Sequence, residues 1–300
     1  MKKLDRSKVV YNFSADNEPI IKVDSGKELM VETDDCFRSQ LQTEEDSLAE
    51  MNWNQINPAT GPIYINDASP GDILKIEIKD IEVDTQGVMI AAPDEGVIGD
   101  RVEQSTTKVL PVKDNHVMFN DIKLPLQPMI GVIGTAPAEG EIPNGTPDSH
   151  GGNMDCKRIT AGSTLYLPVA VEGALLAMGD LHAVMGDGEI VVCGAEARGK
   201  VNLKVDVLKG SQLPLPMLED DKRVITIASA ETLDQAADDA TDNMVDFLME
   251  YFDYSLVEAG MLLSLIGDLR VCQVVDPLKT ARFELNKEYI NNSDIMEVIR

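Results

Sequence analysis

Only three of the 300 residues are histidine, four are cysteine and one is tryptophan. The cysteines, Cys36, Cys156, Cys193 and Cys272, lie far apart, and none has a C-x-x-C partner. That spacing excludes a C-x-x-C redox pair and points to reduced thiols in the cytosol. Aromatic residues make up 4% of the chain, so the core must rest on Val, Ile, Leu, Met and Ala. Positive charge is also scarce: 26 Lys and Arg stand against 52 Asp and Glu, a formal net charge of −26. Such a surface repels phosphate backbones and anionic membranes, which argues against a nucleic-acid or membrane partner. It leaves a small neutral substrate unhindered. No apolar run approaches the ~20 residues of a spanning helix. The stretch "MKKLDRSKVVYNFSADNEP" lacks the apolar segment of a secretory leader. The expectation is a soluble, cytoplasmic protein.

Several chemistries have no foothold. The sequence contains no G-x-S-x-G elbow, no complete phosphate-binding glycine loop and no H-E-x-x-H pair. What it does contain reads mostly as strands. In "DILKIEIKDIEV", Leu74, Ile76 and Ile78 alternate with charged residues, the period of a half-buried strand. "VNLKVDVLKG" places Val201, Leu203, Val205 and Val207 on one face, and "STLYLPVAV" does the same with Leu165, Leu167, Val169 and Val171. "RVITIAS" and "RVCQVV" are further short strands. Turns punctuate these runs, with "NPATGP", "SPGD" and "GDG" the clearest, and Pro58 and Pro62 should bar a regular ladder across the first.

Residues 229–267 break this pattern. Leu233, Ala237, Ala240, Met244, Leu248 and Phe252 form one apolar stripe of a helix, opened by a Thr232/Gln235 capping box. Ser255 and Glu258 open a second helix, and Gly267 closes it. The aspartates on the first helix read as a solvated face. The fold expected is β-rich α+β: rolled or sandwiched sheets, barrel-like, with a helical pair near residues 229–267. The chain reads as a single domain over residues 1–300, divisible into an N-terminal β part, 1–135, and a C-terminal β/α part, 136–300.

Histidine, carboxylate and glycine concentrate between residues 139 and 196. In "SHGGNMDC", His150 and Asp155 flank Gly151 and Gly152, whose backbone freedom can fold imidazole and carboxylate together. A plain glycine turn with a capping aspartate explains the same residues. In "MGDLHAVMGDGE", Asp180 and His182 are two apart and share a strand face. Both types ligate Zn²⁺. Asp187, between two glycines, reads as a hairpin-turn residue, Glu189 as the start of the strand "EIVVCGAE", and Glu196 as returning near Asp180. The oxygen set lacks the spacing of an EF-hand loop. His116 has no such company and reads as an ordinary surface or strand histidine. Cys156 and Lys157 could suggest a thiol amidase, but neighbours on a strand face opposite ways.

Long segments in matching order, "DDCFRSQL…INPATGPIYINDASPGDIL", "PDSHGGNMDCK", "STLYLPVAVEGALLAMGDLHAVMGDGEIVVCG" and "GDLRVCQVVDPLKTARFEL", resemble the acetamidase/formamidase family from about Asp34 to Leu285. The resemblance implies hydrolysis of small amides to a carboxylate and ammonia, sheets rolled around a helical layer, homo-oligomers, and dependence on Zn²⁺ and sometimes Ca²⁺. It places His150, Gly151, Gly152, Asn153 and Asp155 on an HGGN-x-D motif. Asp180, His182, Asp187 and Glu189 fall on GD-x-H…GDGE, Asp35 on DCF, and Asn57 on NPATGP. On this basis His150, Asp155 and His182 are expected to ligate the metal, with Asp180 or Asp35 as a further partner. Glu139 or Glu196 is expected to move protons, with Asn153 and the N–H groups of Gly151 and Gly152 meeting the substrate. Two other readings remain: hydrolysis of a cyclic amide (a lactam), and a metal-stabilised β-rich protein that binds a ligand without turning it over.

Overall fold

The computed structural model describes residues 2–291 and 294–299. Two large open sheets form the body. In the nine-stranded sheet, Gly199–Leu208 runs between Lys27–Thr33 and Ile73–Val83, and the order continues through Thr164–Pro168, Met217–Glu219, Arg223–Ala230 and Lys279–Asn286 to the edge strand Asp268–Gln273. In the eleven-stranded sheet, Leu176–His182 is central, paired with Ala59–Ile65, Met129–Gly134 and Glu196–Ala197. Both sheets take strands from either side of residue 135.

Alternation decides what faces what. Leu29, Val31, Leu74, Ile76, Leu165, Leu167, Val201, Leu203 and Val205 point from the nine-stranded sheet into the main core, where they meet Ile63, Ile130, Ile133 and Met178 of the other sheet. The sheets therefore pack face to face as a sandwich. They do not close into a barrel. The opposite residues of the nine-stranded sheet, Tyr166, Val224 and Phe283, meet helices α1 (Leu233–Phe252) and α2 (Leu256–Ile266). The helices thus cover the outer face of one sheet, and side chains alone fill the space between the sheets.

Three local expectations change. The strand Ala59–Ile65 runs straight through Pro62, because its pairing with Leu176–His182 shifts register there. A bulge removes the need for the missing N–H. "EIVVCGAE" is a loop of turns, and only Glu196 and Ala197 pair as strand. Gly267 does cap α2, but at φ −87, where any residue is comfortable. Glycine is needed there because a Cβ would overlap the Phe283 ring. The α1 stripe is centred on Ala240, Met244 and Leu248, widened by Ala236, Val245 and Phe247. Among the described residues, no helix is long and apolar enough to cross a membrane.

Candidate active site

His182 ends the central strand of the larger sheet, and four carboxylates surround its ring. Glu196 lies directly across the ladder from it, with Oε1 2.9 Å from His182 Nε2. Asp180, two residues earlier, comes within 3.5 Å of the same nitrogen, Asp155 within 3.7 Å and Glu189 within 3.9 Å. All five side chains are buried. Among the described residues, no lysine or arginine forms an ion pair with any of the four carboxylates.

The backbone is forced to make this crowding possible. Asp155 (φ 42), Asp180 (φ 56) and Glu189 (φ 50) all adopt left-handed conformations. Each costs on the order of 1 kcal/mol for a residue with a Cβ. Space is made by glycine. A Cβ on Gly131, on the neighbouring strand, would lie 2.5 Å from both Asp155 Oδ1 and Asp180 Oδ2. A Cβ on Gly194 would lie 2.6 Å from His182 Nδ1. Gly131→Ala should therefore push the two aspartates apart while leaving the fold intact. Overpacking of this kind costs about 1–3 kcal/mol of stability, and with the two aspartates displaced kcat/KM should fall on the order of tenfold or more. Steady-state kinetics checks this, and an unchanged rate would remove Gly131 from the account.

The electrostatics are those of an over-negative pocket. Burial pushes Asp155 up to about 7, with His182 pulling the other way. Burial likewise pushes Glu196 up to about 8 against the same imidazole. Glu189 is raised by burial and by the charge of Asp155. Burial would lower His182, but Glu196 and Asp180 hold it well above the ordinary histidine range. Both ring nitrogens of His182, both oxygens of Asp155, and one oxygen each of Asp180, Glu189 and Glu196 are buried without a hydrogen-bond partner among the described residues. Buried polar atoms normally have partners. Four carboxylates converging on one imidazole, with most of these atoms unpartnered, fit a cation. Asp155, His182 and Glu189 offer donor atoms within 4.8 Å of one another, as do Cys36, Asp180 and Glu196. Mixed nitrogen, sulfur and oxygen donors suit Zn²⁺, and carboxylate oxygens alone suit Ca²⁺.

Above the cluster a cavity of about 830 Å³ opens to solvent. Asn153, Asp180, Glu189, Glu196 and Asp276 form its polar floor, and Phe37, Trp53, Ile56, Val192 and Pro277 contribute apolar wall. Asn153 donates to Asp276 Oδ2 at 3.1 Å, leaving its own Oδ1 buried and unpartnered.

The structure brings together Asp155, Asp180, His182 and Glu196 of the expected set, with Asn153 at the cavity floor. It does not bring His150 to the cluster. That ring packs edge-on against Phe13 at 4.9 Å and is held by burial down to about 4. Glu139 is exposed and contributes to neither the cluster nor the cavity wall. Its exposure removes it as the proton carrier. Gly151 donates its N–H to Asp148 O, and Gly152 pairs with Ile133 in the ladder, so neither lines the cavity. Asp35 accepts from the N–H groups of Phe37 and Ser39, closing the turn that presents Cys36. Asp187 does sit in a turn, but no hairpin strand follows it, and Arg282 grips its carboxylate with bonds of 2.8 and 3.0 Å. Cys156 is buried beside Cys272 and Arg282, away from the cluster. His116 sits on an outer strand, bonded to Asp114 O. By pattern Glu189 read only as a strand start, with the resemblance alone placing it on GDGE, and Asp276, Gly131 and Cys36 gave no signal by spacing. Only the fold brings residues 36, 131 and 276 to one place.

Known proteins match this chain closely. The profile of the acetamidase/formamidase family matches residues 2–145 and 142–281. The solved structure of acetamidase from Bacillus halodurans is 52% identical, covers 96% of this chain and 98% of its own, and superposes with a TM-score of 0.95. That of acetamidase from Yersinia enterocolitica is 30% identical, with coverage of 96% and 91% and a TM-score of 0.90. A proposed formamidase of Schizosaccharomyces pombe is 25% identical over 260 residues, 65% of this chain, and the chain spans 63% of that relative's length.

Proposed function

This chain belongs to the acetamidase/formamidase family, and from that premise we propose that it hydrolyses short-chain amides such as formamide and acetamide to the carboxylate and ammonia. The observation that carries the proposal is the buried carboxylate–imidazole cluster at the floor of an open cavity. Asp155, His182 and Glu189 would hold one metal ion, and Cys36, Asp180 and Glu196 offer a second donor set. When bound, such an ion polarises a carbonyl and lowers the pKa of a coordinated water to about 7.

The chain's own groups do the rest. Phe37, Ile56 and Val192 exclude bulk water from one side of the cavity, which strengthens every charge interaction on its floor. Asn153 Oδ1 is fixed by the bond from its amide to Asp276 and is free to accept an N–H of the substrate amide. That acceptor selects an amide over an ester of the same shape. A carboxylate must take a proton from water and return one to the departing ammonia. We assign that role to Glu196, one oxygen of which receives the Gly194 N–H at 3.0 Å while the other has no partner among the described residues. The negative surface leaves a small neutral amide unhindered.

Ammonia release from formamide and acetamide, measured with metal content before and after chelation, tests the reading. Chelation should abolish turnover and Zn²⁺ should restore it, with about one ion or more per chain by elemental analysis. A fully metal-loaded protein that releases no ammonia from either amide would sink it.

A further inference from the structure

A chain with a net charge of −26 resists self-association everywhere its acids are spread. One surface is different. Helix α2 carries a single acidic residue, Glu258, and that carboxylate is engaged by Ser255 in the capping box. Its outer face is apolar: Val257, Met261 and Leu265 follow every fourth residue and are 63%, 65% and 81% exposed. A Cβ on Gly260, beside this stripe, would meet nothing within 4 Å. Exposed apolar patches of a few hundred Å² mark interaction sites.

The stripe leads directly into an open sheet edge. Asp268–Gln273 is the last strand of the nine-stranded sheet. Gly188 covers its far end, accepting from Val274 and donating to Cys272. Residues 268–270 are exposed. Leu269 pairs with Phe283, which packs against the helices, so Leu269, 49% exposed, lies on the same side of the sheet as α2. An uncovered edge of this kind templates another strand.

The sequence of that edge is complementary to itself. An antiparallel pair centred on Leu269 sets Asp268 of each chain opposite Arg270 of the other. Within one chain these two already touch at 3.1 Å on one face, both about half exposed. Pairing would turn that contact into an alternating square of four charges, while Leu269 met Leu269 beneath the two α2 stripes. We propose that α2 and residues 268–270 form a two-fold interface with a second copy of this chain, joining the two nine-stranded sheets edge to edge. A two-fold contact requires a self-complementary patch, and this surface supplies both the apolar centre and the matched charges.

Sedimentation of the full chain over a range of concentrations tests this. The wild type should be an even-numbered assembly, and more tightly associated at high salt, which screens the general acidic repulsion. Leu265→Glu should halve the particle mass and weaken association at least about a hundredfold. Arg270→Asp alone should also weaken it, and the double exchange Asp268→Arg with Arg270→Asp should restore it. Because these side chains are exposed, melting temperature and circular dichroism should report folded protein in every variant. A monomeric wild type overturns the proposal. So does a folded Leu265→Glu protein of unchanged mass, or a double exchange no better than the single one.

Discussion

Asp155→Asn should lose amide turnover by about a thousandfold or more, roughly 4 kcal/mol of transition-state stabilisation. The substitution keeps size and shape. It removes one negative charge from a buried group of four carboxylates and offers an amide where an anionic ligand would stand. Asp155 is wholly buried, and neither of its oxygens has a hydrogen-bond partner among the described residues. The fold should therefore survive. In metal-stripped protein the variant should melt no lower than wild type, because one source of like-charge crowding is gone. Metal content should fall with activity. Kinetics, elemental analysis and thermal melts on the same preparations separate the effects. A variant with wild-type metal content and rate would show that Asp155 is a bystander.

The largest expected stability loss lies beneath the site. Arg282 is 1% exposed and holds two carboxylates, Asp187 by a two-pronged bond and Glu284 at 2.8 Å. It also donates to Val271 O at 2.7 Å. Arg282→Met takes the donor from Val271 O and leaves Asp187 with Lys157 and Glu284 with the partly exposed Arg158 and Arg223 in place of the buried guanidinium. Breaking a buried pair in this way costs about 3–5 kcal/mol, a fall in melting temperature on the order of 10 °C for a chain of this size. Arg282→Lys should recover little, since an ammonium cannot reproduce the planar fork. Arg158→Met should cost less, because Arg158 is partly exposed where it meets Glu284.

Acid adds a second readout. Burial alone would raise Glu284, but the Arg158 and Arg282 guanidinium groups hold it below the usual range. A depressed carboxyl contributes stability above its unfolded pKa, about 4.3 for Glu, and loses it as pH falls through the lower folded value. Wild type should therefore lose stability more steeply than Arg282→Met below about pH 4.3. Chemical denaturation across that range checks the sign. Activity should drop in the variant at neutral pH as well, because Asp187 stands two residues before Glu189 and its ion pair anchors that loop.

Alternation made the strands legible: Leu74, Ile76, Val201 and Leu203 announced a buried face, and the structure buries them fully. Helix caps were equally local, and the Ser255/Glu258 box forms as its spacing predicted. The Thr232 cap forms by half, since Gln235 turns its side chain to Asp239 instead. What sequence could not carry was convergence. Asp180 and His182 shared a face by period, and Glu196 was expected nearby, because those relations span one turn of chain. Asp276 meets Asn153 across 123 residues, a proximity that exists only once both sheets have assembled. His150 shows the converse. Its rarity and its glycine neighbours pointed to a ligand, yet its ring packs edge-on against Phe13. Gly131 reads as an ordinary glycine until the two aspartates above it are seen.

The left-handed backbone at Asp155, Asp180 and Glu189 bears on how this protein can be altered. Glycine or asparagine would sit more easily at each of these angles, and each would also remove a buried like charge. Heat resistance and catalysis thus pull the same three codons in opposite directions. A lineage selected only for thermal endurance in metal-poor surroundings would erode its acids first, and would do so while its fold improved.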